Sequence, residues 1–369
     1  MQEKLFARKV YTGKEVLEDQ LITIENGKII AIENSYHFPE IKSVDNLAAG
    51  LFDSHINGGE KFYFTQKADE ESIDDIYQAS FQTGTAYVLP TLITSPQENI
   101  LKGIEAIKNY QEKYPDSGVL GMHLEGPFLN PIKRGAHLTE FVRKPTNAEL
   151  EEIIHYGKGI IRLITIAPEM FTTDQIQMLL ESGITVSAGH SNATYEEATK
   201  AFSQGIHLVT HLYNAMSAFG HRQPGLVGAT FDTQFVYAPI IIDGVHCDFA
   251  SARIAYKIKK DKLFLISDAL FLGEKMTEFK WGEFDAYLKD GRYTNSDGNL
   301  AGATISLGDA VRNAVQIIDI PLQEAIEMAT IRPAKALGIS DKIGQIAVGF
   351  PAVFTTFDDD LGTFQVLKY

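Results

Sequence analysis

The chain has 369 residues, with 33 lysines and arginines against 48 aspartates and glutamates, a formal charge of −15. That balance excludes a duplex-DNA binder, which needs a basic face to neutralise phosphates, and no nucleic acid partner is expected. With 44% hydrophobic and 22% charged residues, the composition is that of a globular protein with a real core, of a length that suits two domains or one α/β barrel with an appendage.

Residues 1–10 interrupt their apolar side chains with charge before a signal-peptide core forms. No apolar run approaches the ~18 residues of a transmembrane helix, so no membrane partner is expected. Residues 21–25 and 28–33 are short alternating segments joined by Asn26-Gly27, a pair that supplies the two positive φ angles of a tight hairpin. The first 48 residues therefore read as antiparallel β structure. From residue 51 short apolar segments alternate with amphipathic helices, the pattern of βα units around a parallel sheet. Strands are predicted over 51–55, 86–92, 119–125, 160–168, 184–190, 206–212, 237–243 and 263–269, eight in all. Ser95, Thr146, Thr172 and Thr194 each stand three residues before Glu or Gln, the capping-box spacing. Gly84, Gly183 and Gly205 stand where helices should stop. A polar, aromatic insertion over 271–296 reads either as a β flap near the barrel mouth or as decoration. Residues 344–357 return to short β-like segments punctuated by Gly349 and Pro351. The predicted fold is α/β: a (β/α)8 TIM-type barrel over residues 49–343, with a small β-sandwich domain built from residues 1–48 and 344–369. No G-x-G-x-x-G follows an early strand, which argues against an open doubly wound sheet.

In such a barrel the catalytic groups sit at the C-terminal ends of the strands. Here those ends carry Asp53-Ser54-His55-Ile56-Asn57, His123-Leu124-Glu125, Gly189-His190-Ser191, Thr210-His211 and Ser267-Asp268. Any one of these is more often structural than functional, but the ends of eight parallel strands ring one mouth. Glu125, His190 and His211 would converge there, and two imidazoles with a carboxylate suit a catalytic divalent ion that keeps a position open for water. Asp268 on the last strand then reads as the general base that later returns its proton as an acid. His37 and His155 read as surface residues, His207 lies at the wrong face of the barrel, and His123 reads as structural. Loops bearing Arg134 and His137, His221 and Arg222, and His246 gather positive groups for an anionic substrate, with Arg222 suited to bidentate contacts. The single cysteine, Cys247, has no partner for a disulfide or a thiol nucleophile, and a cytoplasmic setting is expected.

The runs at 123–128 (His-Leu-Glu-Gly-Pro-Phe), 189–194, 210–216 (Thr-His-Leu-Tyr-Asn-Ala-Met), 224–229, 243–246 (Asp-Gly-Val-His) and 300–303 resemble the deacetylases of N-acetylglucosamine 6-phosphate, within the amidohydrolase superfamily. The resemblance extends in order from about Gly50 to Gly349. It implies hydrolysis of the N-acetyl group of a phosphorylated N-acetyl amino sugar, with Glu125, His190 and His211 as metal ligands and Asp268 as the acid/base residue. It implies substrate contacts from Ala136, His137, Asn214, Ala215, Arg222, His246, Leu300, Ala301 and Gly302, with Arg222 or His246 reaching a neighbouring subunit of a homodimer. The metal is expected to be one divalent ion per subunit, zinc ahead of iron, cobalt or manganese, all of which accept these donors. Many relatives have His-x-His after strand one, whereas here the run is His55-Ile56-Asn57, which leaves His55 as an outer or second-metal group. Ala352-Val353 departs from a common Ala-Asp, far from the chemistry. Nothing in the residues fixes the sugar's C4 stereochemistry, so N-acetylgalactosamine 6-phosphate stays open as substrate. A non-catalytic scaffold would need none of the four site residues.

Overall fold

The structure, a computed structural model, describes residues 2–273 and 276–369; Met1, and Glu274 and Lys275 of the 271–296 insertion, lie outside the described residues. β1 (Gln2–Tyr11), β2 (Val16–Glu25), β3 (Lys28–Asn34) and β4 (Lys42–Ala49) come first. The β2–β3 hairpin turns on Asn26 and Gly27, with φ of 51° and 71°. The expectation of purely antiparallel pairing is corrected here, because β4 lies parallel to β1. Residues 35–41 carry the chain past two strands to the far side of β1, where β4 enters in the same direction.

The barrel follows: β5 (Leu51–Ile56), β6 (Thr85–Ile93), β7 (Met122–Glu125), β8 (Ile161–Ile166), β9 (Thr185–Ala188), β10 (Leu208–Val209), β11 (Ala238–Ile240) and β12 (Leu263–Leu265). Strands β5 to β10 pair in chain order and β11 pairs with β12. Parallel bridges Leu208–Tyr237 and Ile56–Ala269 join these two groups at both seams. Capping boxes form at Thr146, Thr172 and Thr194. The one expected at Ser95 does not: helix Gln97–Lys113 starts a residue later on Pro96, with no side-chain cap, and Ser95 Oγ accepts from Asn99 Nδ2 instead.

β13 (Glu278–Trp281), β14 (Phe284–Lys289) and β15 (Arg292–Thr294) form an antiparallel flap. Phe279, Phe284 and Tyr293 of the flap pack with Tyr63 and Phe271. β16 (Val353–Phe357) and β17 (Phe364–Lys368) complete the first sheet in the order β17-β16-β4-β1-β2-β3. Leu5, Val10, Ile22, Leu47 and Phe354 share its core. β17 lies beyond the last segment read as β from the sequence; its Phe364 stacks on Phe357 of its antiparallel partner.

Inside the barrel the strands climb through three levels at the two-residue spacing of one β face. Leu89, Leu163, Leu208 and Phe264 belong to one apolar floor cluster. Two residues on stand Thr91, Thr165, Thr210 and Ile266. The three threonines join His123 and Ser187 in a fully buried ladder: His123 Nδ1 to Thr91 Oγ1 3.3 Å, His123 Nε2 to Thr165 Oγ1 2.8 Å, Thr165 to Thr210 2.7 Å, and Thr210 to Ser187 2.6 Å. A buried hydroxyl without a partner would cost about 1–3 kcal/mol, which this mutual bonding offsets. One further step along the strands places Glu125 above His123 and Asp268 above Ile266.

Candidate active site

Glu125, at the end of β7, is the centre of the cluster. Its Oε1 lies 3.0 Å from His211 Nε2 and 3.2 Å from His190 Nε2, and the two imidazole nitrogens are 3.0 Å apart. Its Oε2 lies 3.2 Å from His55 Nε2 and 3.7 Å from His137 Nε2. All five side chains are buried. His190 Nδ1–H donates to the Lys133 carbonyl at 2.9 Å. A carbonyl only accepts, so in the neutral ring Nε2 presents a bare lone pair toward the carboxylate oxygen. Lone pairs brought this close call for a cation between them. Ligand atoms at 2.0–2.2 Å from a tetrahedral zinc stand about 3.3 Å apart, close to the spacing of Glu125, His190 and His211. A looser set of Glu125, His137 and His190 has its ligand atoms within 4.8 Å of one another. His137 Nδ1 is held by Thr94 Oγ1 at 2.7 Å, and the tighter set fits a divalent ion better.

Across the cluster, His55 Nε2 lies 3.1 Å from Asp268 Oδ1, which also accepts from Asn57 Nδ2 at 2.8 Å. The asparagine that breaks His-x-His thus holds Asp268. Burial presses on every charge here, and the neighbours decide the outcome. His55 is pushed down by burial but held up at about 9 by Asp268 and Glu125. Glu125 is pushed up by burial, yet above all the His55 charge, with the imidazoles packed against its oxygens, holds it well below the usual carboxylate range. Burial lowers His123 and His137 far below an ordinary imidazole, so both are neutral.

His190, His211 and Asp268 have left-handed backbones, with φ of 47°, 31° and 48°. Such strain costs a non-glycine residue on the order of 1–3 kcal/mol and concentrates at functional sites. Surrounding main chain holds them: Asn130 N donates to His190 O at 3.0 Å, Asn214 N to His211 O at 2.9 Å, and Asp268 N to His55 O at 2.9 Å.

Sequence reasoning missed Glu169, just past β8. It accepts from Asn130 Nδ2 at 2.9 Å, Asn192 N at 2.7 Å and Ser191 Oγ at 2.7 Å. It thereby ties the loop after β7 to both residues following His190. Its position after a strand end was the available signal. Glu169→Ala should lower the unfolding free energy by about 1.5–3 kcal/mol, the range for bonds to a charged group. Urea unfolding checks this, and a loss below about 0.5 kcal/mol, ordinary for a surface change, would mean the loops are held by other contacts.

A cavity of about 430 Å³ opens over the cluster, within the range of small-ligand sites. Ala136, His137, Asn214, Ala215, His246, Leu300, Ala301 and Gly302 line it together with Glu125, His190, His211 and Asp268. His246 is oriented by Asp243, with Nδ1 to Oδ2 at 2.6 Å. Phe284 brings the flap to the wall, which resolves the insertion in favour of a mouth element. Arg222 does not join them. It is exposed and outside the lining, three residues before helix Gly225–Asp232, which Pro224 precedes as N-cap. Arg134 is likewise engaged elsewhere, with Asp297 at 3.1 Å.

A closed parallel barrel whose strand ends gather imidazoles around one carboxylate, beside a second carboxylate, has the marks of a metal-dependent hydrolase. The chain belongs to the amidohydrolase family, whose model matches residues 46–368. It is 37% identical over 367 residues to the N-acetylglucosamine-6-phosphate deacetylase of Haemophilus influenzae, covering 96% of this chain and 95% of the relative. It is also 37% identical over 362 residues to the N-acetylgalactosamine-6-phosphate deacetylase of a Shewanella species, covering 95% and 91%. The crystal structure of N-acetylglucosamine-6-phosphate deacetylase from Pasteurella multocida superposes with a TM-score of 0.94 at 34% identity, covering 100% of this chain and 98% of that one. Among the described residues no helix is long and apolar enough to cross a membrane.

Proposed function

We propose that this chain hydrolyses the N-acetyl group of N-acetylglucosamine 6-phosphate to acetate and glucosamine 6-phosphate. The observation that carries this reading is the triangle of Glu125 Oε1, His190 Nε2 and His211 Nε2, with sides of 3.0–3.2 Å, beside Asp268 in a cavity of sugar-phosphate size. Those three residues would hold one divalent ion, zinc by preference. Such an ion supplies Lewis-acid polarisation and a water of lowered pKa. His55, between Glu125 and Asp268, is an orienting group in this reading rather than a second-metal ligand.

Asp268 takes the proton of the attacking water and delivers it to the sugar nitrogen, without which an amine anion would have to leave. Asn57 and His55 hold this carboxylate in place through its Oδ1 atom. Thr94 Oγ1–H donating to His137 Nδ1 leaves the proton on Nε2, where it can bond the acetamide oxygen as negative charge builds. Tyr63, Ile93, Leu270 and Phe284 line the apolar side of the cavity and exclude water. Asn214, Ala215, His246 and residues 300–302 position the sugar, so that binding energy away from the scissile bond orients the amide. The barrel of residues 49–343 carries the chemistry, and segments 1–48 and 344–369 serve as its structural appendage. Buried, unpaired Cys247 suits a reducing cytoplasmic setting.

In this reading the enzyme is a homodimer, in which Arg222 reaches the phosphate bound by the neighbouring subunit. Arg222→Ala should raise KM for the phosphorylated sugar by roughly 10-fold or more and leave metal content unchanged. Steady-state kinetics against phosphorylated and unphosphorylated sugars check this, and equal effects on both would contradict it. The equal identity to a relative named for the galactose epimer favours a second reading, N-acetylgalactosamine 6-phosphate as substrate. Acetate release from the two epimers, measured side by side in zinc-loaded enzyme, decides between them; no release from either overturns the deacetylase reading.

A further inference from the structure

We propose that Lys133 is the cation that anchors the anionic group of the substrate within its own subunit. This rests on the deacetylase reading, and the observations come from the cavity itself. Among the described residues Lys133 is the only lysine or arginine lining it, and the walls already carry Glu125 and Asp268. A phosphate monoester brings a charge of about −1.5 to −2 at neutral pH. Bringing it out of water beside two carboxylates is unfavourable unless a cation meets it.

The neighbouring arginines cannot take this part. Arg134 is bonded to Asp297 and to the carbonyls of Gly135 and His137, and Arg143 is bonded to Glu149 and the Phe141 carbonyl. The Lys133 ammonium enters no ion pair among the described residues. Its side chain is half-buried rather than free in solvent.

The backbone beneath it is fixed to the reaction centre from two directions. Asn130 N donates to His190 O at 3.0 Å, and His190 Nδ1–H donates back to Lys133 O at 2.9 Å. Between these anchors the turn Pro131–Lys133 is closed by Ile132 N to Asn130 Oδ1 and Lys133 N to Asn130 O, each 2.9 Å. The ammonium therefore springs from a base registered against the metal-ligand cluster, the arrangement a distal anchor needs to orient a distant bond. Backbone and side chain act separately: a substitution removes the charge but leaves the carbonyl that orients His190.

The test is calorimetric titration of the product, glucosamine 6-phosphate, and of glucosamine and inorganic phosphate, into zinc-loaded wild type, Lys133→Met and Lys133→Arg. Lys133→Met should weaken glucosamine 6-phosphate and inorganic phosphate by roughly 10–100-fold relative to any effect on glucosamine, the range for a bond to a charged group. Lys133→Arg should recover most of this, with zinc content equal in all three proteins. Unchanged affinity for both anions in Lys133→Met, or equal weakening of glucosamine and glucosamine 6-phosphate, would overturn the proposal. Binding requires no turnover, so a failure of acetate release in wild type counts against the deacetylase reading alone.

Discussion

Asp268→Asn should fold, keep its metal and bind substrate, yet lose roughly 10²–10⁴ of its turnover, the contribution of a positioned acid/base. The side chain is isosteric, and its oxygen can still accept from Asn57 Nδ2, now at 2.8 Å, so the geometry survives. What disappears is a group able to receive a proton from water and return it to the sugar nitrogen. Because that service is confined to the transition state, kcat and kcat/KM should fall together with KM little changed. Stopped or steady-state acetate release, paired with elemental analysis, checks this. Turnover near wild type in a fully metallated variant would remove Asp268 from proton transfer.

Glu125→Gln should be more severe, because it removes the negative charge that faces His55, His137, His190 and His211 together, with nitrogens 3.0–3.7 Å from its oxygens. An amide is a far poorer partner for a divalent ion than a carboxylate. Bound metal should fall from about one ion per chain toward zero, and acetate release by at least about 10³-fold, since an activated water is lost with it. Saturating zinc should restore little. Full activity together with full metal content would show that the ion, if needed, is held elsewhere.

Much of this site was legible because strand periodicity is simple. His123 and Glu125 two residues apart, or Phe264, Ile266 and Asp268 in steps of two, must share a face, and a parallel barrel brings those faces to one mouth. The βα alternation likewise exposed all eight strands, even β10, which is only two residues long. Three features were hidden. The left-handed backbones of His190 and Asp268 are held by hydrogen bonds to distant segments and that of His211 by a turn to Asn214, and no residue pattern announces them. Glu169 works through partners on two other loops, so its neighbours in sequence give no hint of its three bonds. Arg222 lies outside the cavity lining of its own subunit, and its place after strand six does not encode which way its loop faces. The failed cap at Ser95 has a local cause: Pro96 takes the N-cap position itself, with ψ of 151°.

The most direct test is anomalous diffraction at the zinc absorption edge from crystals of the zinc-loaded protein. One peak at about 2.0–2.2 Å from Glu125 Oε1, His190 Nε2 and His211 Nε2, the bond lengths zinc takes to such donors, with Asp268 facing its open side, is the predicted result. A map with no peak among those three atoms, or with the ion bound by a different set of side chains, would contradict the account.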